Sequence, residues 1–222
     1  MLRFGFPPLL RNCGSRLFPT LAPMVNIRAG TTAEATRDSG EWIFVDPGFA
    51  SSAKSCGLLL QDQEPICVSF SELQLQLVRQ VRASELPLNL AIEAPLSVAF
   101  GKEGNPVGRS VERRDRQARY WYVGLGCSVL VSATYLVRAI TEAIPTREVR
   151  LFEGLVSFKT REKPSDHRAD VQSLKNVVWG FAGCGRIISP DELAASPQDK
   201  VVSAFHVAGM SYGVPPVISV GA

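Results

Sequence analysis

The stretch WIFVDPGFASSAKSCGLLL, residues 42–60, is an apolar run that ends in a carboxylate, turns through Pro47-Gly48 and returns as a second apolar run. Short β-rich runs bounded by Pro, Gly and Ser read as strands, so Trp42-Ile43-Phe44-Val45-Asp46 predicts one strand and the segment opening at Cys56 a second. A strand that looks buried yet closes on Asp46 calls for a reason. Working outward, PICVSF predicts a third strand, separated from the second by a turn at QDQEP. SELQLQLVRQVRAS opens on Ser71 as a candidate N-cap, and Leu73, Leu77, Val78 and Val81 recur at helical spacing.

LPLNLAIEA predicts a fourth strand, which also closes on an acid, Glu93. A loop rich in Gly and Arg follows, residues 95–119, and then an apolar helix over 127–143, stopped by Pro145. EVRLFEG predicts a fifth strand with Glu153 near its end. SDHRADVQSLKNVVWGFAG predicts a second amphipathic helix, with Ala169, Leu174, Val177, Val178 and Phe181 on or near one side. The tail is rich in Pro, Gly, Ser and Val, and KVVSAFHVAG in it reads as one more strand. The order β-β-β-α-β-α-β-α predicts an α/β fold. It is a mixed five-stranded sheet, an antiparallel meander followed by parallel strands, with helices on both faces. The domain spans residues 41–185, between an N-terminal arm, 1–40, and a C-terminal extension, 186–222.

Composition sets outer limits. The 222 residues, 45% of them hydrophobic, suffice for one domain with a full core. A net charge of +3 is only mildly basic, so any nucleic-acid footprint has to be local. The five cysteines, Cys13, Cys56, Cys67, Cys127 and Cys184, show no C-x-x-C spacing and read as buried free thiols of a reducing, cytoplasmic setting. The first thirty residues carry four arginines and no acid, a targeting-like composition. Their prolines and the lack of a continuous apolar segment favour a loosely docked arm or an upstream start, with Met24 as a second start. Residues 120–137 are apolar but short and interrupted by Gly, Ser and Thr, which predicts a buried helix and no membrane span.

Ligands of open α/β sheets bind beyond the carboxyl ends of parallel strands. Three strand ends here carry Asp46, Glu93 and Glu153. Asp170 lies early on the last helix, one turn after His167 on the same face. Clustered carboxylates repel one another unless a cation joins them, and hard oxygen ligands select Mg²⁺ or Mn²⁺. A pair of such ions supports phosphodiester hydrolysis. Each acid also has a plain reading: Asp46 in ordinary Asp-Pro-Gly turn chemistry, Asp170 as a first-turn acid favouring the helix dipole, Asp166 as an N-cap. His206, within an apolar run, reads as a core histidine.

The order of elements, with acids on strand one, strand four and the last helix, is similar to the ribonuclease H-like fold. FVDPGFASSAKSCGLLL resembles the first motif of RuvC-type resolvases, and LAIEAPLS and HRADVQSL resemble the second and last. EAPLS, the Arg-rich loop and LFEG also resemble a group of predicted ribonuclease H-like nucleases. The resemblance covers about residues 42–183. It implies a divalent-metal-dependent nuclease acting on DNA or RNA, with Asp46, Glu93 and Asp170 as the metal ligands. His167 matches a position that holds an acid or histidine, and Glu153 the strand-five acid. Val171-Gln172 departs from the usual small and apolar pair. RuvC-like enzymes act as dimers, so a homodimer is implied, although no dimer face is marked in the sequence.

GRSVERRDRQARYWY carries Arg109, Arg113, Arg114, Arg116 and Arg119 before an aromatic cluster. Arginines bind phosphate bidentately and aromatics stack on bases, so this loop, with Lys54, is a candidate nucleic-acid contact. The same loop also reads as a charged surface element paired through Glu112 and Asp115. GKEGNPVG lacks the order of a P-loop. A non-catalytic nucleic-acid-binding or scaffold protein on the same fold is the alternative function, distinguished by indifference to chelation. A small-molecule phosphotransferase is a third reading, weakened by the absence of a duplicated domain.

Overall fold

Apolar runs such as WIFV and LNLAI do not alternate with polar residues because the sheet they form is covered on both faces. The computed structural model describes residues 26–48, 54–114, 117–118, 125–143, 147–156 and 166–221. Its strands and helices run β1 (Ile27–Ala29), β2 (Glu41–Asp46), β3 (Cys56–Leu60), β4 (Ile66–Val68), α1 (Phe70–Ala83), β5 (Leu88–Ile92), β6 (Ser97–Phe100) and β7 (Pro106–Val107). They continue with β8 (Arg113–Arg114), β9 (Gln117–Ala118), α2 (Leu125–Glu142), β10 (Val149–Leu155), α3 (His167–Val178), β11 (Gly185–Ile188), β12 (Lys200–Ser203) and β13 (Val217–Val220).

The main sheet has the order β11-β13-β10-β5-β2-β3-β4. β2, β3 and β4 form the expected antiparallel meander, and β5 and β10 run parallel to β2 and to each other. The fold is therefore α/β with a mixed sheet. Among the described residues the sheet has eight strands, not five. β1 comes from the segment read as an arm and pairs with the start of β10; β13, from the extension, pairs with the end of β10 along the same edge, and β11 pairs with β13. A second sheet joins β12 of the extension to β6 and β7, within the segment read as a loop.

Strand alternation divides the core in two. Ile43, Val45, Leu90, Ile92, Val149 and Leu151 meet Leu73, Leu77 and Val81 of α1 and Ala133, Leu136, Val137 and Ile140 of α2. Trp42, Phe44, Ala91, Phe152 and Ile218 meet Val171, Leu174, Val177 and Val178 of α3 on the other side. Asp170 lies on that same buried stripe, at the first turn of α3, whereas Ala169 and Phe181 are exposed.

Two local expectations need correction. Ser69, not Ser71, caps α1: its side chain accepts the Glu72 N–H, and the helix starts at Phe70. His206 is exposed rather than buried, because its segment closes into a 3-10 turn after β12 instead of continuing the strand. Among the described residues no helix is long and apolar enough to cross a membrane. Cys56 is a buried thiol, and burial raises its pKa; the expectation of buried thiols fails at Cys127, which is exposed on α2, while Cys67 and Cys184 are half-buried.

Candidate metal centre

Asp46 is the last residue of β2, and Val45 stands opposite Ile92 of β5 in parallel register. Glu93, the next residue along, donates its backbone N–H to the Val45 carbonyl at 2.8 Å. Asp46 and Glu93 therefore leave adjacent strands side by side. By alternation from Phe44 and Ala91, both face α3. Both are nearly buried, at 3% and 7% exposure.

α3 brings the other half. Asp166 caps it, accepting the N–H groups of Arg168 and Ala169 at 3.1 and 3.4 Å, as read from the sequence. The first helical turn then presents His167 and Asp170. His167 Nδ1 lies 2.6 Å from Asp46 Oδ2. Ligand atoms of Asp46, His167 and Asp170 all fall within 4.8 Å of one another. Two carboxylate oxygens and an imidazole nitrogen, held by a strand end and a helix start, form a donor set that fits a divalent cation.

The two glycines of the opening motif explain how the helix comes so close. Gly57 of β3 pairs with Asp46, and a Cβ on it would run into the carbonyl oxygen of His167. A Cβ on Gly48 would meet the Ser55 carbonyl oxygen, with the His167 ring 2.7 Å away. The motif DPG…CG thus clears a seat for the first turn of α3 directly over Asp46.

Glu153 takes a different place. In β10 it stands in register with Ile92, so its side chain points to the α1/α2 face, opposite Glu93. There it is fully buried against Arg109, which donates through Nη2 to Glu153 Oε1 at 2.7 Å and through Nη1 to Oε2 at 2.8 Å. Arg109 also bonds Glu112 Oε1 through Nη2 at 3.0 Å and Ser97 Oγ through Nη1 at 2.6 Å. Glu153 does not end its strand, since β10 runs on to Leu155; it is committed to this pair and does not join the cluster. Arg109 is likewise no phosphate contact, being 0% exposed. Burial opposes its charge, but Glu153 and Glu112 more than offset that and hold its pKa above the ordinary value. Burial pushes Glu112 up, against the pull of Arg109.

Of the other cations expected at nucleic acid, Lys54 and Arg113 are exposed, Arg114 lies on β8, and Arg116, Arg119 and residues 120–122 fall outside the described residues. Lys54 lines an open groove of about 730 Å³ together with Pro65, Ile66, Cys67, Asp166, His167 and Arg168. His167 thus borders the groove on one side and touches Asp46 on the other. Arg168 escaped the sequence reading, although its place beside His167 on a helix start was a usable signal.

Comparison with known proteins adds no relative: no family model matches the chain, and neither a curated protein nor a solved structure matches it.

Proposed function

We propose that this chain is a divalent-metal-dependent nuclease of ribonuclease H-like fold. The observation that carries the reading is the convergence of Asp46, at the end of β2, with His167 and Asp170 on the first turn of α3, their ligand atoms all within 4.8 Å of one another, while Glu93 leaves the neighbouring parallel strand beside Asp46 and is not part of that group of three. β2 and β5 lie side by side and α3 packs on β2 and β3 beside Asp46, an arrangement that supports the reading. In this reading Asp46, Glu93 and Asp170 hold Mg²⁺ or Mn²⁺, and His167 assists. The metal supplies Lewis-acid activation of the phosphodiester and of the attacking water. The chain's own residues orient the substrate. Lys54 and Arg168 flank the groove at His167 and attract a phosphate backbone, while Asp166 at the helix cap repels it, which favours approach from the Lys54 side.

The test is cleavage of labelled single- and double-stranded DNA and RNA by the full chain with Mg²⁺ or Mn²⁺, beside EDTA and the Asp46→Asn variant. Metal-dependent cleavage lost in the variant is expected. Cleavage that survives chelation overturns the reading. Binding without cleavage, indifferent to EDTA, selects the scaffold alternative.

A further inference from the structure

Arg109, Glu112 and Glu153 are 0%, 1% and 0% exposed, on the face of the sheet away from the acid cluster. Buried ion groups of this kind are a poor device for stability, because apolar side chains of similar volume commonly do as well or better. What distinguishes this group is where its bonds go. Glu153 Oε2 accepts the backbone N–H of Leu96 at 2.8 Å. Arg109 Nη1 reaches the same oxygen at 2.8 Å and Ser97 Oγ at 2.6 Å. The Leu96 carbonyl accepts the Ala204 N–H at 2.9 Å. Three of these bonds end on Leu96 or Ser97, in the segment Glu93-Ala94-Pro95-Leu96-Ser97 that leaves β5 and enters β6, and the fourth ties Arg109 to Glu153 beneath it.

Glu93 is the first residue of that segment. Its own N–H is fixed to Val45, and the Ala94 N–H closes a tight turn onto the Ile92 carbonyl at 2.8 Å. Pro95 restricts φ in the middle. The chain is therefore pinned at Glu93 from β2 and at Leu96 and Ser97 from beneath the sheet, with Ala94 and Pro95 between. Little slack is left for the Glu93 backbone, and so for the origin of its side chain.

We infer that Glu153 and Arg109 are positioning residues for the Glu93 carboxylate, holding the segment behind it from the opposite face of the sheet. The inference rests on the reading of Glu93 as a carboxylate of the metal site. It gives the strand-five acid a part in that site without contact to metal or substrate.

The test is calorimetric titration of the full chain with Mn²⁺, for the parent and for Glu153→Gln, Glu93→Gln and the double variant, with melting curves of each. In Glu153→Gln the side chain keeps its size and can still accept the Leu96 N–H, but it loses the charge that fixes Arg109. Outer supports of metal ligands typically cost ~10- to 100-fold in affinity when altered, and that loss is expected for Glu153→Gln. Because it acts through Glu93, the double variant should bind no more weakly than Glu93→Gln alone. Should Glu153→Gln not fold, Arg109→Lys, which keeps the charge and loses the planar fork, is read in the same way. Affinity unchanged in a folded variant, or losses that add in the double variant, would overturn the inference alone, provided Asp46→Asn still abolishes binding. A parent chain that binds no Mn²⁺ sinks the metal reading and this inference together.

Discussion

A single methyl group at Gly57 should loosen the helix that carries His167 and Asp170. A Cβ at this position would overlap the His167 carbonyl oxygen and lie 2.9 Å from its carbonyl carbon and 3.1 Å from its Cβ. Alanine in a strand is otherwise worth about 0.5–1 kcal/mol over glycine, so an open site would make Gly57→Ala stabilising. Here the opposing atoms are helix backbone, and α3 cannot retreat freely because Val171, Leu174, Val177 and Val178 are packed on the sheet. Overpacking of this kind costs about 1–3 kcal/mol, which outweighs the strand gain. The net expectation is a loss of up to roughly 2.5 kcal/mol, or up to about 10 °C in melting temperature for a domain of this size. The same displacement lifts His167 from Asp46, now 2.6 Å apart, and should weaken Mn²⁺ binding. Scanning calorimetry and a metal titration on one preparation measure both. A melting temperature above the parent's would refute the argument that this glycine is the seat of α3.

Three further outcomes follow from the charges. Arg109→Met leaves Glu112 and Glu153 buried without their cation, a loss of about 3–5 kcal/mol in urea unfolding, whereas replacing all three by apolar residues should restore most of it. Burial already raises the Glu112 carboxyl and Arg109 opposes that rise, so without Arg109 its folded pKa climbs further and the penalty in Arg109→Met should shrink on acidification; a penalty that grows instead would contradict the burial of Glu112. Glu34, hydrogen-bonded to Arg28, is held at a pKa of about 2 against an ordinary 4.5, so its contribution is present above 4.5 and fades as pH falls toward 2. The Glu34→Gln variant should accordingly melt below the parent at neutral pH and converge with it in acid, and a constant gap would exclude the linkage. Lys54→Ala with Arg168→Ala should weaken nucleic-acid binding and flatten its salt dependence by about one to two in slope, and an unchanged slope would remove the groove from the contact.

The strands on either side of the site were legible because long apolar runs ending at Asp46, Glu93 and Glu153 carry a strong signal. β1 and β13 were not, being three and four residues long with Pro215-Pro216 just before β13, too short for a periodicity to show. Their pairing is decided by the open edge of β10, a tertiary fact. The error at Glu153 is of another kind. Being at a strand end and being on a given face are separate properties, and counting from Leu151 puts Glu153 with Ile92, whereas counting from Ala91 puts Glu93 with Asp46. The alternation was present in the sequence, but the relative register of β5 and β10 was not. Arg109 illustrates the remaining gap: an arginine in a polar, Gly-rich loop reads as surface until its buried partners, Glu153 from β10 and Ser97 from β6, are known. Ser69 and Ser71 compete as caps in VSFSELQ, and the winner is the serine whose hydroxyl reaches the Glu72 N–H.

The central claim is that Asp46, His167 and Asp170 form one metal-binding unit with Glu93 beside it. Calorimetric titration of the full chain with Mn²⁺, next to Asp46→Asn and Asp170→Asn, tests it most directly. Saturable binding by the parent and its loss in both variants are expected, with the fold intact by circular dichroism. Binding that survives both substitutions, or a parent chain that takes up no Mn²⁺, would contradict it.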